Sequence, residues 1–391
     1  MNATFDVIII GGGIMGCSSA FRLGQRGLKV AVLEKGGLGN GSTGRSSAII
    51  RQHYSNEITA RMALHSLRVF QNFKDEVGGD SGFTEAGFLV LTPEKDLEGL
   101  KANVALQRSV GIQTDLLTHN DITERWPYLE AADLVAAAYE PESGYADPGL
   151  TVNSFAQAAK RNRVEYQLDT EVLGLRMKSG KVQGVVTSRG ELEAPIVVNC
   201  AGPWGARVAN WAEVQVPIDA CRVQVAFFRR PEGQEADHPM VADFAHASYW
   251  RPETGGLTLV GLIDPSEQEN VVDPDNYNEN GDLDFVADVG NRLVLRYPAM
   301  DKSVSTTSYA ALYAITPDWH PVIDELIPGS GLFICAGFSG HGFKLGPAVG
   351  SMVADMVTGQ AKSGLERSLF RLSRFEEGEP VAGRYQYSIA G

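Results

Sequence analysis

The chain of 391 residues is poor in cysteine and histidine and short of positive charge. Its four cysteines, Cys17, Cys200, Cys221 and Cys335, form no C-x-x-C pair. That excludes a zinc knuckle or a disulfide framework and leaves buried thiols of a reducing compartment. The seven histidines show no metal-ligand spacing, so no metal is expected. Lys and Arg number 34 against 48 Asp and Glu, a formal net charge of -14. Nucleic acid and anionic membranes demand a broad positive field, so neither is an expected partner, and an anionic substrate must rely on local Arg or Lys. Long apolar runs are absent too. The segment "FDVIIIGGG" follows a leader without Lys or Arg, is too short to cross a bilayer and runs into glycines. The expectation is a soluble, cytoplasmic protein.

What is present is 43% hydrophobic residues with 21% charged, enough for a large core in two domains or in one with a large insertion. The β-branched run Phe5 to Ile10 predicts a buried parallel strand, Ser18 to Gly27 an amphipathic helix, and "KVAVLEK" the second strand of a βαβ unit. Between them Gly11, Gly13 and Gly16 satisfy G-x-G-x-x-G, and Glu34 ends the second strand. The spacing provides a tight turn, close approach to a pyrophosphate, close helix–strand packing and a carboxylate for a ribose. The helix N-terminus adds N–H donors for phosphate. A dinucleotide is therefore expected, held also by Ile14, Met15 and Lys35, which adjoin these positions. Glu34 would repel a 2′-phosphate, which argues against NADP but does not separate NAD from FAD. The loop "GSTGRSSAIIRQHY" then offers Ser42, Thr43, Arg45, Ser46 and Ser47 where an extended dinucleotide would continue.

Farther along, residues 58–77 carry helical periodicity and "GFLVLT" reads as a strand. A hairpin turning at "KSGK" precedes the strand "VVNCAGPWG". Residues 214–252 and 256–311 favour strands with acidic loops such as "DPDNYNENGD". The end, "GLFICAGFSGHGFKLGPAVGSMVADMVTG", returns to strand, glycine turn and helix.

The fingerprint, the loop after it, "VVNCAGPWG", "SYWRPETGGLTLVG", "YAITPDWHPVID" and "AGFSGHGFK" together resemble the sarcosine oxidase and glycine oxidase branch of the D-amino acid oxidase-like flavoproteins. The motifs stand in that family's order over nearly the whole chain. The resemblance implies an α/β and α+β fold: a Rossmann-like (βαβ) FAD-binding domain from residues 1–85, 145–213 and 316–391, and a mainly antiparallel β-sheet substrate domain from 86–144 and 214–315. It implies FAD-dependent oxidation of an amine C–N bond by hydride transfer, followed by imine hydrolysis. The implied substrate is a small secondary amino acid such as sarcosine, another N-methyl amino acid or iminodiacetate, with oxygen or another electron acceptor. A glycine or D-amino acid oxidase or dehydrogenase, or an FAD-binding subunit of a hetero-oligomer, stays open as an alternative.

The same resemblance carries roles to single residues. Arg51 and Lys344 match the pair that binds the substrate carboxylate. Tyr249 and Arg251 fall on a strand lining the substrate face, where Arg251 or Arg222 would be a second anion contact, and His53 is close enough in sequence to reach the cavity. Val172, Ala201, Gly202, Gly337, Gly340, His341, Gly342 and Phe343, with Lys344, are placed against FAD. Pro148 and Ala311 stand where relatives carry residues that attach flavin covalently, which implies noncovalent FAD. Thr258 stands where a relative has an oxygen-activating lysine.

Overall fold

The computed structural model describes residues 4–234 and 238–385. Residues 1–3, 235–237 and 386–391, which fall within the ranges expected for the two domains, lie outside the described residues.

The chain opens with strand β1 (Val7–Ile10), helix α1 (Ile14–Gln25) and strand β2 (Val30–Leu33). Every residue of both strands is buried, as a parallel sheet covered on both faces requires. They are the centre of a six-stranded sheet in the order Val322–Glu325, Leu332–Ala336, Ile196–Asn199, β1, β2, Glu165–Gln167. Only the edge strand Val322–Glu325 runs antiparallel. Alternate residues feed opposite faces. Val7 and Ile9 pack under helices that include α1 and Gly342–Thr358. Ile8 and Ile10 pack against a three-stranded meander, Val172–Lys178, Lys181–Thr187 and Gly190–Glu193. The meander contains the hairpin expected around "KSGK", with Ser179 and Gly180 both at positive φ, as a tight two-residue hairpin turn needs.

Helix α1 departs from the sequence expectation. It begins at Ile14 rather than Ser18 and is buried on nearly all sides rather than on one stripe. The reason is the crossing with helix Gly342–Thr358: a Cβ on Gly346 would sit 2.4 Å from Ile14, and one on Gly350 would sit 2.7 Å from the Ser18 backbone. The Ser18 hydroxyl donates to the Gly346 carbonyl at 2.8 Å, so a small polar residue closes a helix–helix contact instead of facing water.

An eight-stranded sheet takes Phe88–Thr92, Asp115–Thr118, Ala136–Glu140 and the strands from Asp219 to Ile315. Its pairs are antiparallel except one, Met240–Asp243 on Phe88–Thr92, which joins the two stretches of chain. Strands with acidic loops were expected over 256–311, but Leu283–Arg296 is a helix. Its buried Val289 and Leu293 are four apart and pack with Trp250, Val260 and Phe228 on one face of the sheet. The other face carries Tyr249, Leu259 and Val225.

Candidate active site

Between the two sheets lies an elongated cavity of about 520 Å³, continuous with the glycine fingerprint. Its first half is a backbone cradle. A Cβ on Gly11 would lie 2.5 Å from the Cys200 carbonyl oxygen, and Gly11 sits at φ 107°, so no larger residue fits that turn. At Gly16 a Cβ would lie 1.9 Å from the Gly11 carbonyl oxygen, so Gly16 serves helix–strand packing and does not line the cavity. Helix α1 begins at Ile14, and its N-cap Gly13 offers no side chain. Its N-terminal end presents positive dipole to an anion. Glu34 directly follows β2, with both carboxylate oxygens held, accepting from Gly12 N–H at 2.7 Å and Gly36 N–H at 2.9 Å. Thr43 Oγ1 accepts from Ile14 N–H at 3.1 Å, which ties the following loop to the cradle.

Of the residues expected at the cofactor, Gly11, Gly13, Ile14, Met15, Glu34, Lys35, Ser42, Thr43, Arg45, Ser46, Ser47, Val172, Ala201, Gly202, Gly337, Gly340, Gly342 and Phe343 line this cavity. His341 does not: it is buried with its ring packed near Tyr54 and His320, at centroid distances of 5.6 and 6.2 Å. Lys344 belongs to a second, smaller chamber.

That chamber, about 60 Å³, opens beside the first. Ser47, Tyr249, Tyr313 and Gly340 line both, forming the wall between them. Arg51, His53 and Lys344 supply its remaining polar side chains, and Ile49, Phe88, Val90, Ala242, Phe244 and Ile263 make the rest apolar. Arg51 follows the short strand Ile49–Ile50, donates to the His53 carbonyl and lies 4.4 Å over the Tyr54 ring. Lys344 lies in the first turn of helix Gly342–Thr358. Pro347 interrupts that helix, and Ala348 N–H donates to Ser66 Oγ at 3.1 Å. Burial, and then the charge of Arg51, hold the Lys344 ammonium well below its ordinary value. No carboxylate pairs with Lys344 among the described residues. The two basic groups thus share a buried pocket whose charge a carboxylate would neutralise.

Behind them, burial pushes Glu140 up to about 7, against hydrogen bonds from Gln52 N–H and the Ser143 hydroxyl, both at 2.8 Å. Burial, and then Arg51, push His53 down to about 3, so its imidazole is neutral, with Nε2 2.8 Å from the Tyr385 hydroxyl.

Two expected anion contacts are occupied elsewhere and line neither cavity. Arg251 donates to the Ser47 and Pro252 carbonyls and pairs with Glu253 at 2.9 Å. Arg222 pairs with Asp282 at 2.7 Å and donates to the Asn278 and Asn280 carbonyls. Thr258 also misses the site. It is buried and meets His238 Nε2 at 3.0 Å, because strand alternation sends Leu259 and Tyr249 to the cavity face and Thr258 to the other. Pro148 is the first residue of a helix capped by Asp147, and Ala311 lines the large cavity.

Sequence reasoning missed Tyr309 and Tyr313, which line the large cavity with Ala311 from one strand. Their period of two in "SYAALYAI" is the signal that points to them. It also missed Trp204 and Arg207 on the cavity rim and Glu267 on its wall.

The family described as FAD dependent oxidoreductase (DAO) matches residues 6–356. The chain belongs to this family. It is 30% identical to L-proline dehydrogenase from P. horikoshii, whose crystal structure superposes with a TM-score of 0.89 over 97% of this chain and 100% of that one. FAD-dependent oxidoreductase domain-containing protein 1 of Xenopus laevis is 29% identical over 97% of this chain and 84% of its own length. Monomeric sarcosine oxidase of Bacillus sp. is 26% identical over 96% of this chain and 98% of its own. FAD fits the large cavity on the structure's own terms: a glycine cradle, a helix N-terminus and the Glu34 carboxylate lie in the order that a dinucleotide requires. The protein is an FAD-dependent oxidoreductase, and its α/β layers are of the DAO type.

Proposed function

We propose that this flavoenzyme oxidises the C–N bond of a small secondary amino acid bearing one carboxylate, in the class of sarcosine and cyclic imino acids. The observation that carries this reading is the 60 Å³ chamber, in which Arg51 and Lys344 are the cations and most of the wall is apolar. The residues expected at the substrate divide accordingly. Arg51 and Lys344 fix the carboxylate by charge-assisted hydrogen bonds, Tyr249 stands in the wall between substrate and cofactor, and His53 closes the back as a neutral ring. Iminodiacetate fits less well, since its second carboxylate needs another cation and Arg251 and Arg222 are held elsewhere. The relatives named for L-proline dehydrogenation and sarcosine oxidation support a secondary amine over glycine or a D-amino acid.

FAD, held noncovalently, supplies the hydride acceptor. In this reading the six-stranded layer, with its discontinuous segments, holds the cofactor, and the eight-stranded layer bears the substrate. Oxygen is the acceptor suggested by the sarcosine oxidase relative; Thr258 has no bearing on that choice from the far side of its strand.

Anaerobic bleaching of the flavin tests the reading. Sarcosine or proline should bleach it, whereas glycine, D-alanine and iminodiacetate should not. Lys344→Met should raise the substrate concentration for half-maximal bleaching about 10- to 100-fold, the loss of one charged hydrogen bond. Bleaching by primary amino acids alone would refute the substrate class. Peroxide release in air reads out the acceptor.

A further inference from the structure

Strand Leu257–Leu262 leads into a short 3-10 segment, Pro265–Glu269, that is pinned at both ends. The Asp264 carboxylate accepts from Ser266 N–H at 3.0 Å. The Gln268 carbonyl accepts from the Cys221 thiol at 3.3 Å, and its side-chain oxygen accepts from the Trp319 indole at 3.1 Å. Held between these anchors, Glu267 lines the large cavity where Tyr249, Tyr313 and Leu262 also line it. Among the described residues no hydrogen bond or ion pair reaches its carboxyl. A half-buried acid with no partner, set beside the wall of a substrate chamber, is costly unless something else pairs with it.

We propose that Glu267 receives the proton that a bound secondary ammonium must shed before hydride can leave its carbon. This rests on the substrate reading above. The arrangement is dipolar. Arg51 and Lys344 line the small chamber and Glu267 lines the large cavity where the two adjoin at Tyr249 and Tyr313, which matches a zwitterion that spans the junction with its carboxylate toward the first pair and its nitrogen toward Glu267. The step balances without an external reagent: the ammonium N–H bond breaks, the proton passes to a carboxylate oxygen, and a neutral amine and a carboxylic acid result. The nitrogen keeps the electron pair, which then assists the departure of hydride.

The groups facing Glu267 favour this use. Asp264 lies on its own segment, Arg292 on helix Leu283–Arg296, Tyr249 and Tyr313 on two strands and Cys221 on a third. Arg292 is engaged with Asp288 at 2.9 Å and with the His246 carbonyl. Burial, then the Asp264 charge, push the Glu267 carboxyl well above the carboxylate range, against a smaller pull from Arg292. The shift makes its carboxylate form a stronger base, which acts in the fraction of enzyme where Glu267 is ionised.

The test uses the FAD-loaded enzyme, wild type and Glu267→Gln, reduced anaerobically by sarcosine and by proline from about pH 6 to about pH 10. Binding of tetrahydrofuran-2-carboxylate, a ring acid with no amine, is followed in parallel by perturbation of the flavin spectrum. The Gln variant should bind the ring acid as the wild type does, yet reduce about 100-fold more slowly at neutral pH, and recover as the pH nears the free amine's own ionisation. Glu267→Asp should restore much of the neutral-pH rate. Superimposable pH profiles, an equal loss at every pH, or loss of ring-acid binding together with the rate would each overturn the assignment. If no amine bleaches the wild type, the substrate reading fails first and this assignment falls with it.

Discussion

Lys344 shows how one residue can couple charge to ligand. Its ammonium is destabilised by burial and by Arg51, and a bound carboxylate removes both penalties. Binding should therefore raise its pKa and take up a proton. Because the ligand-free value is the depressed one, affinity for a carboxylate should decline as pH rises above it. Calorimetry of tetrahydrofuran-2-carboxylate binding in buffers of different ionisation enthalpy measures the uptake, and Lys344→Met should abolish it. At this scale the sequence was legible where a motif pins a backbone, as at Gly11, Gly13 and Glu34. Arg51 and Lys344 came from the resemblance, because nothing in their spacing distinguishes them from surface ion pairs. Arg251 shares the face of Tyr249 but is drawn to the Ser47 carbonyl and Glu253, whereas Thr258 takes the opposite face of its strand. A position on a strand does not reveal which face the side chain takes until its register is known.

Among the elements, the acidic loop "DPDNYNENGD" turns out to be a strap. Asp275 pairs with Lys35 at 2.7 Å and Arg207 at 2.5 Å and accepts from the Trp204 indole at 2.8 Å, while Glu279 pairs with Arg45 at 2.7 Å. These cations and the indole all line the large cavity. Partial desolvation works against ionisation of Asp275, yet its three donors hold it down at about 2. Its contribution is thus present at neutral pH and is lost only as pH falls toward that value. The pairs are largely exposed, so each is worth little singly and is screened by salt. Asp275→Asn should speed flavin release by about 2- to 5-fold at low salt, and molar salt should erase the difference. Release can be followed by the rise in flavin fluorescence. The sequence displayed the loop as acidic and asparagine-rich, but not its partners, which come from distant segments. The helix Leu283–Arg296 escaped notice just after it, because its buried stripe is only Val289, Leu293 and the stem of Arg296.

For the molecule as a whole, the βαβ start was readable because its neighbours in sequence are neighbours in space. The eight-stranded sheet was not, since its one parallel pair unites residues about 150 positions apart and no local pattern encodes that choice. A chain ending at residue 330 would lack strand Leu332–Ala336 and the helix carrying Lys344. It should be recovered without visible flavin absorbance, whereas the full chain should be yellow.

The six-stranded sheet also has a temporal meaning. Strand β1 is made first, yet the strand Ile196–Asn199 beside it pairs on its other edge with Leu332–Ala336, one of the last strands to be made. At a synthesis rate of about 5–20 residues per second, the fingerprint strand waits at least roughly 15 s for the complete sheet. Flavin capture should therefore wait until Leu332–Ala336 has been made, and through that wait the apolar run Val7–Ile10 stands in an incomplete sheet.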